Sequence, residues 1–253
     1  MNRGTKLYNT GWLQSPIDNR DILVCAAPAR KHSDSYMVPN IDNVPVLNQM
    51  SRGSCVGHAA AVVKTWQELK ERQVTIPYSR EYIYDKCKTI DGIPDQEGTY
   101  PRIAMKVLQK FGACQESLCP YQEKDNQIVL TSAMDRDALQ GRITRYGRVQ
   151  SINALKSALV DHGPVLIGVP IYNSFFSASN GVIPMPSGDS VGGHALTIIG
   201  WEPGYYIFRN SWSESWGNKG NGKLPEEYPE LISDAWLSVD MIGLRFTWLE
   251  GKV

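Results

Sequence analysis

The stretch at residues 49–59, Gln49-Met50-Ser51-Arg52-Gly53-Ser54-Cys55-Val56-Gly57-His58-Ala59, leads a loop into a helix whose first turn carries a cysteine. Apolar residues recur from position 56 at the i, i+3, i+4 spacing of a helix with one buried face. The outward N–H groups of a first helical turn and the helix dipole stabilise a thiolate, so we expect a lowered pKa for Cys55. We expect Gln49 to place its amide beside the sulfur. Taken alone, the pattern fits a structural cysteine more often than a reactive one.

A nucleophilic cysteine needs a base, and the chain has four histidines, at positions 32, 58, 162 and 194. His194 differs from the others because it follows two glycines and begins an apolar run, 195–199, that is typical of a buried strand. After a Pro-Gly turn, a second predicted strand, 205–209, returns the chain to Asn210, beside His194. We expect His58, on the same helix as Cys55, to be a packing residue.

Three ordered blocks resemble the signatures of the papain-like cysteine peptidases: Gln…Gly-Ser-Cys at 49–55, Gly-Gly-His-Ala at 192–195, and Arg-Asn-Ser-Trp…Trp-Gly at 209–217. Each block alone is a weak signal, but three in one order are a strong one. The resemblance implies an α+β, papain-like two-lobed fold. It has a helical N-terminal lobe, a β-rich C-terminal lobe and the active-site cleft between them.

The resemblance also implies a catalytic role for four residues. Cys55 attacks a peptide carbonyl and forms a thioacyl intermediate, and His194 acts as base and then as acid. Asn210 orients the imidazole, and Gln49 contributes to the oxyanion hole. Peptides or proteins would be the substrates.

Three further residues are predicted to contact the substrate. Gly98 is the candidate for pairing with the substrate backbone, and a glycine needed only for a turn explains it about equally well. Gly193 leaves room in the main specificity pocket. Trp212 is expected to shield the hydrogen bond between His194 and Asn210 from water.

The sequence departs from the eukaryotic enzymes in three places. Arg52 and Val56 stand where those enzymes usually have Cys and Trp, so the disulfide beside the cleft is absent, and residues 223–253 do not match. These differences favour a divergent prokaryotic or viral branch of the family. They affect the shape of the substrate subsites and leave the chemistry intact.

Two other classes of function stay open. The first is another Cys-dependent acyl transferase or amidase, of the transglutaminase-like kind. Those enzymes use Cys, His and Asp in that order, whereas position 210 is Asn followed by Ser-Trp. The second is a non-catalytic or virion-associated binding module on the same fold. Such modules usually lose the nucleophile, and here Cys55 is present.

The composition of the chain limits the kinds of partner that it binds and the compartments in which we expect it. The 253 residues carry 26 basic and 26 acidic side chains, so no strong field favours nucleic acid or an anionic membrane. No apolar run approaches the ~20 residues of a membrane span, and no Sec signal peptide is visible. We expect a cytoplasmic protein, or one that is exported by a non-Sec route or associated with a virion. We expect a monomer with no cofactor, and no metal because zinc-type Cys and His spacings are missing. The five cysteines should be mostly reduced.

The chain divides into two predicted parts. Residues 1–44 are an N-terminal arm, either a structural belt or a short pro-segment lying in the cleft, and we favour the belt slightly. Residues 45–253 are the peptidase domain, with the helical lobe at about 45–122 and the β-rich lobe at about 123–253. Within the second lobe, 123–150 is predicted to be a polar crossover.

Overall fold

The computed structural model describes residues 10–24, 31–122 and 128–240. These residues form five α-helices and eight strands. The helices are α1 Cys55–Arg72, α2 Arg80–Lys88, α3 Pro101–Lys110, α4 Ser132–Ala138 and α5 Ile152–His162. The strands are β1 Leu23–Val24, β2 Tyr36–Met37, β3 Ile143–Val149, β4 Val165–Ile171, β5 Gly192–Glu202, β6 Tyr205–Arg209, β7 Asn221–Pro225 and β8 Asp234–Asp240. The two-lobed α+β prediction is confirmed.

Helix α1 lies between the two lobes and is buried from Cys55 to Leu69. Val63 packs in the helical-lobe core with residues of α2 and α3. Trp66 packs on the other side, in the core of the sheet lobe. A helix that is buried on all its faces is typical of such a central position. The residue at its N-terminus therefore lies where the lobes meet.

The β-rich lobe is one mixed sheet with the strand order β1-β3-β8-β4-β5-β6-β7, and β2 pairs with β5. Strands β5 and β6 form the predicted hairpin, which pairs Thr197 with Arg209. Because β5 begins just before His194 and β6 ends just before Asn210, the hairpin brings these two side chains to the same end of the sheet. The apolar run at 165–169 predicts a buried strand, and the structure extends this strand to residue 171 as β4.

The prediction that residues 123–150 are a polar crossover did not anticipate the regular structure in this region. It contains α4 and also β3, which pairs antiparallel with β8 and parallel with β1. Strand β3 alternates buried and exposed positions imperfectly and includes two arginines, which hid its period from the sequence. Thr99 is a residue type that favours the N-cap of the helix beginning near Pro101, but that prediction is wrong, because Tyr100 occupies the N-cap position of α3.

Arg52 stands where the resembling eukaryotic enzymes usually have a cysteine, and its side chain belongs to a buried ionic cluster. Its guanidinium donates to the Glu81 carboxylate at 2.7 Å and approaches Asp85 at 3.4 Å. The guanidinium also lies over the rings of Tyr84 and Tyr121, at 5.3 and 5.5 Å from their centroids. Since Glu81 and Asp85 belong to α2, these contacts tie the loop that precedes Cys55 to the second helix. No helix among the described residues is long and apolar enough to span a membrane.

Candidate active site

Cys55, His194 and Asn210 meet where the start of α1 faces the end of the β5–β6 hairpin. The Nε2 atom of His194 lies 2.8 Å from Oδ1 of Asn210. The backbone N–H of Ala195, the next residue along β5, donates to the Cys55 sulfur at 3.4 Å. The other imidazole nitrogen, Nδ1, makes no hydrogen bond with the described residues. The Asn210 amide thus fixes the orientation of the imidazole through Nε2. The second nitrogen, Nδ1, is left for proton transfer.

The Gln49 side chain is buried and held at both ends. Its Oε1 accepts from the Ser211 hydroxyl at 2.6 Å, and its Nε2 donates to the Arg52 carbonyl at 2.8 Å. The Gln49 backbone N–H donates to the Ser211 carbonyl at 2.9 Å. Ser211 directly follows Asn210, so these bonds connect the loop before Cys55 to the segment that orients His194.

Trp212 covers the imidazole. Its ring stacks on His194 with centroids 4.7 Å apart and planes 27° apart, and the ring of Phe176 stacks on Trp212 with centroids 6.1 Å apart. Phe175 and Trp216 complete the aromatic cluster. Trp212 thus lies over His194, one of the two partners of the hydrogen bond that it is predicted to shield, and the shielding itself stays a prediction.

The N-terminal arm occupies the cleft. The Gly11 carbonyl accepts from the Thr99 N–H at 3.0 Å, and the Leu13 N–H donates to the Thr99 carbonyl at 3.1 Å. On the opposite wall, the Trp12 N–H donates to the Gly193 carbonyl at 3.2 Å. These contacts extend the arm across the mouth of the site, and both Cys55 and His194 are 0% exposed.

Gly11 makes the close approach possible. A Cβ atom at Gly11 would lie 1.8 Å from the Gly53 carbonyl oxygen, in the loop that leads to Cys55. The Gly11 backbone N–H also lies close enough to the Cys55 sulfur to oppose the rise in the pKa of its thiol. The arm therefore presents a backbone N–H toward the sulfur.

Burial under the arm reverses the expected pKa of the nucleophile. Loss of solvent raises the pKa of the Cys55 thiol to about 11, and the backbone N–H groups of Ala195, Gly11 and the first turn of α1 only partly oppose it. Burial also lowers the pKa of His194 to about 4, against the hydrogen bond with Asn210. In this arrangement the pair is a neutral thiol beside a neutral imidazole. The lowered pKa predicted from the helix alone was wrong for this state.

The two glycines that are predicted to contact the substrate, Gly98 and Gly193, differ in their contacts with the arm. Gly193 lines the cleft and accepts from the arm backbone, as described. Gly98 lies beside the arm, but its N–H donates to the Tyr84 hydroxyl at 3.0 Å and its carbonyl accepts from Lys88 at 2.9 Å. The backbone pairing with the arm is made by Thr99, the next residue. The Tyr-Pro pair that follows begins α3, and this boundary is the sequence signal that marks Thr99. The substrate contact of Gly98 stays a prediction.

The other buried histidine, His58, is a packing residue, as expected. Its Nδ1 contacts the Ser54 carbonyl oxygen at 3.0 Å, and its ring lies edge-on to Tyr121 at 4.6 Å. Burial lowers the pKa of His58 to about 3, so its ring is neutral near pH 7. His58 thus supports the loop before Cys55.

The comparisons with known proteins agree with this geometry. The sequence profile of the family described as "Papain family cysteine protease" matches residues 34–229. The chain belongs to this family. It is a papain-like cysteine peptidase, and its substrates are peptides or proteins.

Relatives of this papain-like peptidase include viral, bacterial and animal proteins. An uncharacterized peptidase C1-like protein of Acanthamoeba polyphaga mimivirus is 25% identical over 94% of this chain and 88% of its own. The structure of xylellain, a cysteine protease from Xylella fastidiosa, superposes with a TM-score of 0.84 at 25% identity, covering 95% of this chain and 99% of that one. A cathepsin B-like cysteine proteinase of Ostertagia ostertagi is 31% identical over 44% of this chain and 66% of its own. The prediction of a divergent prokaryotic or viral branch is confirmed.

Proposed function

We propose that this peptidase cleaves peptide bonds through a thioacyl intermediate on Cys55, with His194 as base and acid and Asn210 as the residue that orients the imidazole. One observation carries the assignment: His194 Nε2 lies 2.8 Å from Asn210 Oδ1, while the N–H of the next residue on the same strand, Ala195, donates to the Cys55 sulfur at 3.4 Å. A nucleophile, a base and a third group that orients the base are the arrangement that covalent acyl transfer requires.

His194 Nδ1 takes the Cys55 proton, and the thiolate attacks the carbonyl carbon of the scissile bond. The tetrahedral intermediate collapses as the imidazolium gives its proton to the leaving amine, which departs. Water, activated by the same nitrogen, then attacks the thioester and releases the acid and the free thiol. Asn210 keeps the ring in one orientation throughout.

We assign stabilisation of the oxyanion to the backbone N–H of Cys55 and the side-chain amide of Gln49. The bonds to Ser211 and Arg52 fix the Gln49 amide before the reaction begins. A donor that is fixed in advance needs no reorganisation in the transition state, which is why such donors lower the barrier. We also place Thr99, and not Gly98, as the residue that pairs with the substrate backbone, because the arm uses its N–H and carbonyl.

The arm acts as a short pro-segment in this proposal. It fills the cleft, bonds to the backbone groups of Thr99 and Gly193, and holds Cys55 in the thiol form. It is also anchored outside the cleft: Arg102 forms ion pairs with Asp18 at 2.5 Å and with Asp21 at 2.7 Å. Latency then ends when residues 10–13 leave the cleft. This does not require the ion pairs of Arg102 with Asp18 and Asp21 to break.

Labelling with an epoxysuccinyl peptide tests the nucleophile. The full chain and a variant with the arm loosened, Trp12→Ala, are incubated with the reagent and digested, and the modified peptide is mapped by mass spectrometry. We expect modification at Cys55, faster in Trp12→Ala, and none after His194→Ala. Labelling spread over the other cysteines, or unaffected by His194→Ala, would contradict the proposal.

A further inference from the structure

The side chain of Trp12 fills a pocket that two glycines create. A Cβ atom at Gly168 on β4 would lie 1.8 Å from Trp12 Nε1, and one at Gly193 on β5 would lie 2.2 Å from Trp12 Cε3. Any other residue at either position would close the pocket. The space beside His194 is therefore shaped for a side chain about as large as an indole.

A buried carboxylate lies at the far end of this pocket. Asp234 begins β8, is 0% exposed and pairs in register with Gly168. Its Oδ2 accepts from Trp12 Nε1 at 2.7 Å and from the Ser15 backbone N–H at 2.8 Å, while its Oδ1 accepts from Trp236 Nε1 at 2.6 Å. Within the described part of the chain, no lysine or arginine forms an ion pair with Asp234.

Two of the three donors to Asp234 belong to the arm. When the arm leaves the cleft, Oδ2 loses both Trp12 and Ser15 and faces the emptied pocket. A carboxylate in a largely apolar pocket costs free energy unless a donor or a cation pairs with it. A substrate that restores this pairing binds better than one that leaves Oδ2 alone.

We infer that Asp234 makes this peptidase select a basic substrate residue, Arg or Lys, at the subsite that Trp12 fills. The inference rests on the proposed function. A guanidinium or ammonium on a long stem matches both the length of the pocket and the charge at its end, and its hydrogen bonds to a carboxylate are charge-assisted. Trp12 reaches Asp234 with a single neutral donor, so it blocks the site without forming an ion pair there.

Substrate preference tests the inference with the full chain carrying Trp12→Ala. Positional libraries of fluorogenic tetrapeptides give kcat/KM at each position for Arg, Lys, Leu, Trp and citrulline, which is a neutral analogue of Arg. We expect Arg and Lys to exceed Leu by at least ~10-fold at one position, and citrulline to lose most of that advantage. We expect Asp234→Asn and Asp234→Ala to reduce the Arg-to-Leu ratio toward one. The ratio within each variant is compared, so a general loss of activity cancels.

A preference for Leu or Trp over Arg, or equal rates with Arg and citrulline, would overturn the inference while leaving the peptidase assignment intact. Absence of cleavage of every library together with unlabelled Cys55 would instead contradict the proposed function.

A second measurement on the same pocket requires no catalysis. In the full chain, the arm itself serves as the ligand, and melting temperatures are compared for Trp12→Arg and Trp12→Leu. We expect Trp12→Arg to melt higher than Trp12→Leu, and the difference to disappear when Asp234→Asn is added. An unchanged difference in the Asp234→Asn background, or a higher melting temperature for Trp12→Leu, would refute selection of a basic residue by Asp234.

Discussion

The carbonyl oxygen of Gly11 accepts a hydrogen bond from the backbone N–H of Thr99 at 3.0 Å, and this bond belongs to the segment that covers Cys55. The arm thereby uses backbone groups on the cleft wall that an extended substrate could use. It brings an amide hydrogen to the sulfur and removes solvent from the catalytic pair. The proposed latency follows from this geometry, because residues 11–13 of the arm occupy backbone partners of the cleft and Cys55 is fully buried.

Cys55→Ala is expected to abolish hydrolysis of peptides. The test compares the full chain carrying Trp12→Ala with and without this change, using a fluorogenic peptide. Because Cys55 is fully buried under the arm, loss of its sulfur should also destabilise the chain, by about 1 kcal/mol. Cys87→Ala is the matched control, since Cys87 is buried in α2 away from His194 and should retain activity. Hydrolysis by the Cys55→Ala variant at the parent rate would disprove the assignment of the nucleophile.

Gln49→Ala should lower kcat by about 10²-fold with little change in KM, because the oxyanion develops only in the transition state. Steady-state kinetics in the Trp12→Ala background measure both constants. Ser211→Ala is the control, since it removes the 2.6 Å hydrogen bond to Gln49 Oε1 and keeps the amide itself. We expect a smaller fall in kcat for Ser211→Ala. A rise in KM at constant kcat for Gln49→Ala would show that Gln49 only binds substrate.

The pH dependence of alkylation should report the burial of the thiol. Burial favours the neutral form, so the pKa of about 11 for Cys55 leaves about one thiol in 10³ ionised at pH 8. In the full chain, the rate of iodoacetamide labelling at Cys55 should rise about tenfold per pH unit from 7 to 10 without a plateau. Trp12→Ala should react faster at pH 7 and reach a plateau at lower pH. A plateau below pH 8 in the unmodified chain would mean that the arm does not control the thiol.

The sequence predicted the parts of the site that depend on neighbours in the chain. Cys55 begins a helix because small and apolar residues follow at helical spacing, and the hairpin places His194 and Asn210 together because only a tight turn separates its strands. Both features depend on local patterns, which a sequence displays directly.

The features that the sequence did not reveal depend on distant contacts. Burial under a segment more than forty residues earlier in the chain raises the pKa of Cys55. This burial outweighs the local effect of the helix dipole. Asp234 approaches Trp12 across 222 positions of sequence. Lys64 is a third example: it is fully buried in α1 because its ammonium group bonds to Glu68 and Asp240, and nothing in its helical pattern distinguishes it from an exposed lysine.

Truncation alone cannot separate a structural belt from a pro-segment, because residues 1–44 contain features of both. Val38 and Ile41 are buried in the core of the sheet lobe, and β2 pairs with β5. A chain that begins at Asn40 loses β1, β2 and the ion pairs to Arg102. We therefore expect it to gain activity and to melt at a lower temperature, and a point substitution at the cleft is the sharper test.

Gly11→Ala should release the arm without deleting any side-chain atom. The added Cβ would lie 1.8 Å from the Gly53 carbonyl oxygen, which is a backbone atom that cannot turn away, so residues 10–13 must leave the cleft. We expect kcat/KM of the full chain to rise at least tenfold, and the melting temperature to fall only slightly because the anchors at Asp18 and Asp21 remain. Gln14→Ala is the matched control: Gln14 is exposed on the same arm, and its loss should change neither quantity. Kinetics with one fluorogenic peptide and melting curves of the three proteins decide the matter. A Gly11→Ala chain that loses activity along with stability would show that the arm serves the fold as a belt and does not restrain the enzyme.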